Sequence, residues 1–200
     1  MALHLANPLK LKTPGYYELR QPLRRAVSWA CLLASPFFLA FIAGWILGIR
    51  FNLTPSLPRG LYIISDRPSA NLVEFCPDGA AAAISRSRHY RNAGVCPDGG
   101  APLLKPAVAF PGDQLEVSVD GIRVNGQMLQ NSAGRFRDHL QRPLHPWPNG
   151  TYRVAPGTLW VISSFNMYSF DSRYYGPIPE SSIRHRLRPL WTFATEAPQR

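Results

Sequence analysis

Three short clusters carry the side chains best suited to chemistry: Ser56 in the first, Lys105 in the second and Asp171 in the third. Prolines at positions 55 and 58 flank Ser56, which stiffens the backbone and keeps the serine out of regular structure. A serine presented in this way is a candidate nucleophile, although any turn could use the same prolines. Nucleophilic attack also requires a base within hydrogen-bond reach of the hydroxyl.

Lys105 is the candidate base, because it is the single lysine from Arg50 onward, among sixteen arginines. An arginine keeps its proton in a protein, whereas a buried lysine can lose it. Lys105 lies in the apolar stretch 102–110, where burial would disfavour the charged ammonium form. A surface lysine at the edge of a strand is the alternative that the local sequence leaves open.

Histidine is the other possible base, in a Ser-His-Asp arrangement whose order along the chain varies among folds. None of the five histidines lies in an informative motif, and we expect most of them in loops or at the surface: His4, His89, His139, His145 and His185. The third cluster, residues 169–177, is a polar turn with aromatic side chains in which Asp171 and Arg173 can pair.

An uncharged stretch of 24 residues, from Ala26 to Ile49, precedes all three clusters. As a helix rising about 1.5 Å per residue, it is long enough for a hydrocarbon core of roughly 30 Å. A cleaved signal peptide is the alternative, but its apolar core is about 7–15 residues long, so we expect an uncleaved transmembrane anchor. Residues 1–25 hold five basic residues and one acidic residue. The positive-inside rule therefore predicts a cytoplasmic tail at 1–25 and an exported domain at 50–200.

Short apolar runs separated by Gly, Pro, Asn and Asp predict that the exported domain is mostly β. The dipeptides Asp120-Gly121 and Asn125-Gly126 are strong hairpin signals around the runs 115–119 and 122–124. We expect the strands to form a closed or coiled, barrel-like sheet. Further predicted elements are strands at 61–64, 72–75, 152–154 and 159–162, one helix at 80–91, and a loop or lid at 130–150.

Charge and cysteines limit the other classes of function. The net charge is +10, but basic residues are scattered along the chain and no zinc-finger or RNA-binding pattern accompanies them, so we expect no nucleic-acid partner.

Cys76 and Cys96 each begin a Cys-Pro-Asp-Gly tetrapeptide. Their spacing is too wide for a redox Cys-x-x-Cys motif, and four clustered zinc ligands are missing. In an exported domain, a disulfide between them is the simplest interpretation.

The three clusters in this order, behind one N-terminal span, resemble the type I signal peptidase family. Leu104-Lys105 followed by Phe110-Pro111-Gly112-Asp113 is similar to the lysine box of that family, and Asp171-Ser172-Arg173 with Gly176 is similar to its C-terminal box. Leu57 and Pro106 stand where the general leader peptidases usually carry Met and Arg. The run 52–62, the cysteine pair and residues 169–174 look closer to the TraF branch, whose members mature pilin subunits of conjugative, type IV secretion-like DNA transfer systems.

The resemblance implies a serine peptidase with a Ser56/Lys105 dyad, in which neutral Lys105 takes the Ser56 proton and Ser56 attacks the substrate carbonyl. It implies that the Ser56 N–H and the Thr54 hydroxyl stabilise the oxyanion. In the third cluster, it implies that Ser172 holds the lysine. Asp171 and Arg173 would fix the strand, or Asp171 would act more directly.

The expected partners are a pilin precursor, or another protein with a signal peptide, and the lipid bilayer of the bacterial inner membrane. The resemblance implies cleavage by water, or ring closure onto the N terminus of the pilin, and it implies no cofactor or metal. A general signal peptidase with many clients is one alternative. A non-catalytic, membrane-anchored assembly factor of a secretion channel is the alternative from another class.

Overall fold

The computed structural model describes residues 16–67 and 69–193. The chain divides into two units, residues 1–47 and residues 48–200. The first unit contains the helix α1 (Tyr16–Ile46), and the second contains the sheets. Residues 1–15 of the predicted basic tail lie outside the described residues.

The helix α1 includes a segment of 23 residues, Arg24–Ile46, that is long and apolar enough to cross a membrane. A signal sequence near the N terminus would meet the same criterion of length and composition. The helix ends at Ile46, three residues before the end predicted from the uncharged stretch. Gly48 has a φ of +79°, a left-handed conformation that ends helices, and Ile49 already begins the first strand.

Eleven strands follow in the described part of the second unit, together with two short helices and one 3₁₀ turn. The strands are β1 (Ile49–Asn52), β2 (Gly60–Ile64), β3 (Leu72–Phe75), β4 (Leu103–Ala109), β5 (Gln114–Ser118), β6 (Gly121–Val124), β7 (Gln127–Met128), β8 (Gly150–Arg153), β9 (Thr158–Val161), β10 (Ile178–Pro179) and β11 (Ile183–Thr192). The helices are α2 (Gly79–Ser87) and α3 (Ser172–Tyr175), and the 3₁₀ turn spans Glu180–Ser182.

The strands form a seven-stranded sheet, in the order β1-β2-β11-β3-β4-β9-β10, and a four-stranded sheet, in the order β7-β6-β5-β8. All of the strand pairs are antiparallel. The predicted hairpins are present in the smaller sheet, where Asn125 and Gly126 have φ values of +48° and +82°, as the tight turn requires. The prediction of a mostly β domain is confirmed.

The prediction of a closed, barrel-like sheet is wrong. Both sheets are open in the described part of the chain, with β1 and β10 at the edges of one and β7 and β8 at the edges of the other. The strand β10 is only two residues long and ends in Pro179, which has no N–H to continue a ladder of hydrogen bonds. One apolar cluster, around Leu115, Ile122 and Trp160, combines residues of both sheets, and a second, around Val73, Phe75 and Val161, belongs to the large sheet.

Several elements differ from the sequence prediction. The ten-residue strand β11 was not predicted, because charged residues and a proline interrupt its apolar residues. It lies in the middle of the large sheet, between β2 and β3. The helix α2 ends at Ser87 rather than at Arg91, since His89 takes a φ of +56°. The short helix α3 was missed, whereas residues 130–149 contain no helix or strand, as expected of a loop.

Cys76 and Cys96 form a disulfide, as predicted, with a Cα–Cα distance of 5.5 Å. The bond joins the residue after β3 to the segment after α2, so it closes a loop that contains α2.

Replacing both Cys76 and Cys96 with serine should lower the free energy of unfolding by about 3 kcal/mol, since an open loop of this length has more conformational entropy in the unfolded chain. Denaturant unfolding of the purified protein measures the change. Cys31→Ser is the matched control, because Cys31 is a free thiol in α1 and should leave the midpoint unchanged. An unchanged midpoint in the double variant would contradict the prediction.

Candidate active site

Ser56 lies in the turn that joins β1 to β2, and the buried side chain of Asn52 organises this turn. The amide nitrogen of Asn52 donates to the carbonyl oxygens of Thr54, Leu57 and Pro58, each at 3.2 Å. Its amide oxygen accepts the Thr54 N–H at 3.2 Å and the Thr54 hydroxyl at 2.7 Å. The turn therefore wraps around one amide group. Sequence reasoning gave Asn52 no role, although its polar side chain at the end of an apolar strand was a usable signal.

Lys105 is the third residue of β4, which lies between β3 and β9 in the interior of the large sheet. Only 2% of Lys105 is exposed, so it is not a surface lysine at a sheet edge. It lies on the buried face of the strand, with Ala107 and Ala109. The Nζ atom of Lys105 is 2.6 Å from Ser56 Oγ and 2.6 Å from Ser169 Oγ. The fold thus brings all three predicted clusters into direct contact at Lys105.

Burial lowers the pKa of Lys105 from 10.5 to about 8, because the ammonium form loses its hydration in the protein interior. The negative charge of Asp171 opposes this shift and raises the pKa, whereas the positive charge of Arg173 lowers it further. A substantial fraction of Lys105 is therefore neutral at mildly alkaline pH. A neutral amine at hydrogen-bond distance can accept the proton of a serine hydroxyl.

Asp171 and Arg173 form a fully buried ion pair, with 2.8 Å between Arg173 Nη2 and Asp171 Oδ2. Asp171 Oδ1 accepts the Arg173 side-chain Nε–H at 2.8 Å, and Oδ2 also accepts the backbone N–H of Ser163 at 3.0 Å. Burial by itself lowers the pKa of Arg173, but the Asp171 carboxylate reverses this effect and holds the pKa above its ordinary value. The guanidinium also donates to backbone carbonyl oxygens of Asn131, Ser163, Asn166, Met167 and Ser169.

The residue that holds the lysine is Ser169 rather than the predicted Ser172. The Ser172 hydroxyl accepts the backbone N–H of Val161 at 2.9 Å, because Ser172 begins the helix α3 and faces β9. Ser169 comes before that helix, in the segment that Arg173 anchors through the Ser169 carbonyl oxygen at 3.0 Å. The serine three residues earlier in the same polar cluster was the signal that sequence reasoning overlooked.

The Thr54 hydroxyl donates to Asn52 Oδ1 in this structure, so it must rotate away from Asn52 before it can bind an oxyanion. Its role in stabilising the oxyanion stays a prediction. Within the described residues, no group of three or more His, Cys, Asp or Glu side chains is placed to hold a metal ion.

Comparison with known proteins identifies the family. The family model described as signal peptidase, peptidase S26, matches residues 22–191. The chain belongs to the S26 signal peptidase family. It is 41% identical over 157 residues to a probable conjugal transfer protein TraF of Sinorhizobium fredii, an alignment that covers 76% of this chain and 81% of the relative. It is 33% identical over 174 residues to a plasmid transfer protein TraF of Escherichia coli, covering 86% of this chain and 98% of the relative.

Among solved structures, a signal peptidase I of Enterococcus faecalis aligns with 62% of this chain and 99% of its own, at a TM-score of 0.35 and 18% identity. The family match spans all three clusters of the site, the serine turn, the lysine strand and the Asp171–Arg173 segment.

Proposed function

We propose that this member of the signal peptidase family is a membrane-anchored serine endopeptidase that removes the signal peptide of an exported precursor. The observation that carries the proposal is the 2.6 Å contact between Lys105 Nζ and Ser56 Oγ, at a lysine whose pKa burial lowers to about 8. Acyl transfer by a serine requires a base within hydrogen-bond distance of the hydroxyl, and that base must be in its neutral form near the working pH.

In the proposed reaction, neutral Lys105 accepts the proton of the Ser56 hydroxyl while Ser56 Oγ attacks the scissile carbonyl. The oxyanion of the tetrahedral intermediate receives hydrogen bonds from the Ser56 N–H and from the Thr54 hydroxyl, each of which is typically worth about 3 kcal/mol. The Lys105 ammonium then donates its proton to the leaving amine. Lys105 next activates a water molecule, which hydrolyses the acyl-enzyme at Ser56.

The substrate we propose is the pilin precursor of a conjugative, type IV secretion-like system, with small residues before the cleaved bond. The similarity to a probable conjugal transfer protein and to a plasmid transfer protein supports a role in conjugative transfer, and the pilin precursor is the exported substrate that we propose for that role. Release of the acyl group onto the N terminus of the pilin, instead of onto water, would close a ring.

Deletion of the gene, followed by complementation, tests the proposed function. In the wild type we expect mature pilin, and in the deletion strain we expect precursor with its signal peptide attached, as measured by intact mass. Complementation with Ser56→Ala should leave the precursor uncleaved. Normal pilin mass in the deletion strain would overturn the pilin assignment, and processing by Ser56→Ala would favour a non-catalytic assembly role. A mature mass one water lighter than the linear product would show ring closure.

The localisation we propose is the bacterial inner membrane, with α1 as a single span, the N terminus in the cytoplasm and residues 48–200 in the periplasm. A phosphatase reporter that requires export should be active when fused after residue 200 and inactive when fused after residue 20, since the basic residues of the N-terminal tail are retained on the cytoplasmic side. The reverse pattern of reporter activity would contradict this orientation.

Cleavage should increase with pH, because only the neutral form of Lys105 can accept the Ser56 proton. The fraction of neutral lysine rises through the pKa of about 8 and reaches a plateau roughly two pH units higher. Initial rates on a precursor peptide between pH 6 and pH 10 measure the profile, with thermal unfolding at each pH as the control for stability. A rate that is flat or falling between pH 7 and pH 9 would contradict the assignment of Lys105 as the base.

A further inference from the structure

Ser163 connects the nucleophile turn to the buried ion pair, although neither its type nor its position suggested a role. It is fully buried and lies two residues after β9. Its hydroxyl donates a hydrogen bond to the carbonyl oxygen of Ser56, and its backbone N–H donates to Asp171 Oδ2 at 3.0 Å. One residue therefore contacts both the backbone of the proposed nucleophile and the carboxylate of the third cluster.

We propose that Ser163 is a positioning residue for Ser56. Through Ser163, the Asp171–Arg173 pair keeps the Ser56 hydroxyl within hydrogen-bond distance of Lys105 Nζ. The inference rests on the proposed function, because positioning has a consequence only if Ser56 is the nucleophile. In this arrangement Asp171 acts at a distance, through Ser163, and it does not take part in proton transfer.

The turn needs such a contact because no strand ladder holds Ser56. The last ladder pair before the turn is Asn52 with Gly60, so residues 53–59 lie outside the sheet. Asn52 binds the carbonyl oxygens of residues 54, 57 and 58, on either side of the nucleophile. The carbonyl oxygen of Ser56 itself is bound by Ser163. The two side chains together hold the backbone before, at and after Ser56.

The Ser56 carbonyl and hydroxyl are attached to the same residue, and the backbone dihedral angles that direct the carbonyl also place Cβ and limit the χ1 rotamers of the hydroxyl. Loss of the Ser163 hydroxyl would allow the Ser56 peptide to rotate and Oγ to move from its place 2.6 Å from Lys105 Nζ. A displacement of about 1 Å of a reacting group can lower a rate by roughly 100-fold. The change is confined to the turn at residues 53–59, and a displaced Oγ slows the attack on bound substrate, so the expected change falls on kcat rather than on KM.

Ser163→Ala in the full-length chain, in detergent micelles, tests the inference against a matched control. We expect kcat on a precursor peptide to fall by about 10- to 100-fold with KM nearly unchanged. Ser132→Ala is the control, because Ser132 is also buried and its hydroxyl also bonds backbone groups, but in the loop after β7, where it donates to the Leu129 carbonyl at 2.6 Å and accepts the Ile122 N–H at 2.8 Å. We expect Ser132→Ala to retain the kcat of the wild type.

Two further readouts separate positioning from a general loss of structure. The pH of half-maximal activity should stay near 8 in Ser163→Ala, because Lys105 keeps its burial and its charged neighbours. Ser163→Thr retains the hydroxyl and should recover most of the lost kcat. Thermal unfolding of each variant reports the folded fraction. If the threonine does not fit in the buried site, the kcat and the pH profile of Ser163→Ala test the inference without it.

The inference would be overturned by a kcat of Ser163→Ala within about threefold of the wild type, by an equal loss in Ser132→Ala, or by a shifted pH midpoint. Ser56→Ala distinguishes these outcomes from failure of the proposed function. If Ser56→Ala is inactive while Ser163→Ala cleaves normally, only the positioning role is wrong. If Ser56→Ala itself cleaves the peptide, the Ser56/Lys105 dyad is wrong.

Discussion

Replacing Lys105 with arginine should abolish cleavage of a precursor peptide, with a fall in kcat of roughly 10³-fold or more, as expected for removal of one member of a catalytic unit. A guanidinium keeps its charge and its proton at every pH at which the protein is folded, so it cannot accept the Ser56 proton. Raising the pH to 10 should not restore activity to Lys105→Arg, in contrast to the rising profile of the wild type.

Lys105→Met is the control variant that separates catalysis from folding. The pKa of Lys105 is 10.5 in its ordinary state and about 8 in the folded protein, so the folded state binds fewer protons than the unfolded chain between these values. Stability therefore rises with pH across this window, and at neutral pH burial of the ammonium costs about 3 kcal/mol. Methionine has a similar shape without the charge, and Lys105→Met should be inactive but should unfold at a higher temperature.

The assay is cleavage of a precursor peptide by the wild type, Lys105→Arg, Lys105→Met and Ser56→Ala across pH 6–10. Appreciable turnover by Lys105→Arg would exclude Lys105 as the base and direct attention to the histidines. A lower unfolding temperature in Lys105→Met would show that the ammonium is better solvated than its 2% exposure indicates.

Breaking the Asp171–Arg173 pair should have the largest effect on stability. Removal of one partner leaves the other charge buried without compensation, which typically costs about 3–5 kcal/mol. Asp171→Ala leaves the Arg173 guanidinium in a fully buried site, and it also removes the acceptor of the Ser163 N–H. Arg173→Met removes the donor to five backbone carbonyl oxygens between residues 131 and 169.

Denaturant unfolding of Asp171→Ala, Arg173→Met and the double variant measures this effect. We expect the double variant to lose less stability than the sum of the two single losses, because neither charge then remains unpaired. Arg88→Ala is the control: Arg88 is partly exposed, and its Nη1 atom is 3.8 Å from Asp138 Oδ2. Its removal should cost at most about 1 kcal/mol. The prediction would be contradicted if Asp171→Ala and Arg173→Met unfolded at the same denaturant concentration as Arg88→Ala.

The sequence alone was sufficient for features whose physical cause is local. The uncharged stretch before Arg50 predicts a helix of membrane length, because the lack of charge and the length are properties of consecutive residues. The hairpins at Asp120-Gly121 and Asn125-Gly126 were predictable, since these residues tolerate the positive φ values that tight turns need. Lys105 was recognisable as a candidate base by its type and its apolar neighbours, and Ser56 by its flanking prolines. The disulfide between Cys76 and Cys96 was predictable from the spacing of these residues in a domain expected to be exported.

The tertiary structure decided the features that depend on contacts between distant residues. The choice of Ser169 over Ser172 as the partner of Lys105 depends on where α3 begins and on the alignment of β4 with β9. The contact of Ser163 with Ser56 joins residues 107 positions apart, and no local period or spacing encodes it. The position of β11 between β2 and β3 depends on strand pairing between residues that are more than 100 positions apart in the sequence. Local residue types determine which side chains can do chemistry, whereas long-range strand pairing determines which of them meet.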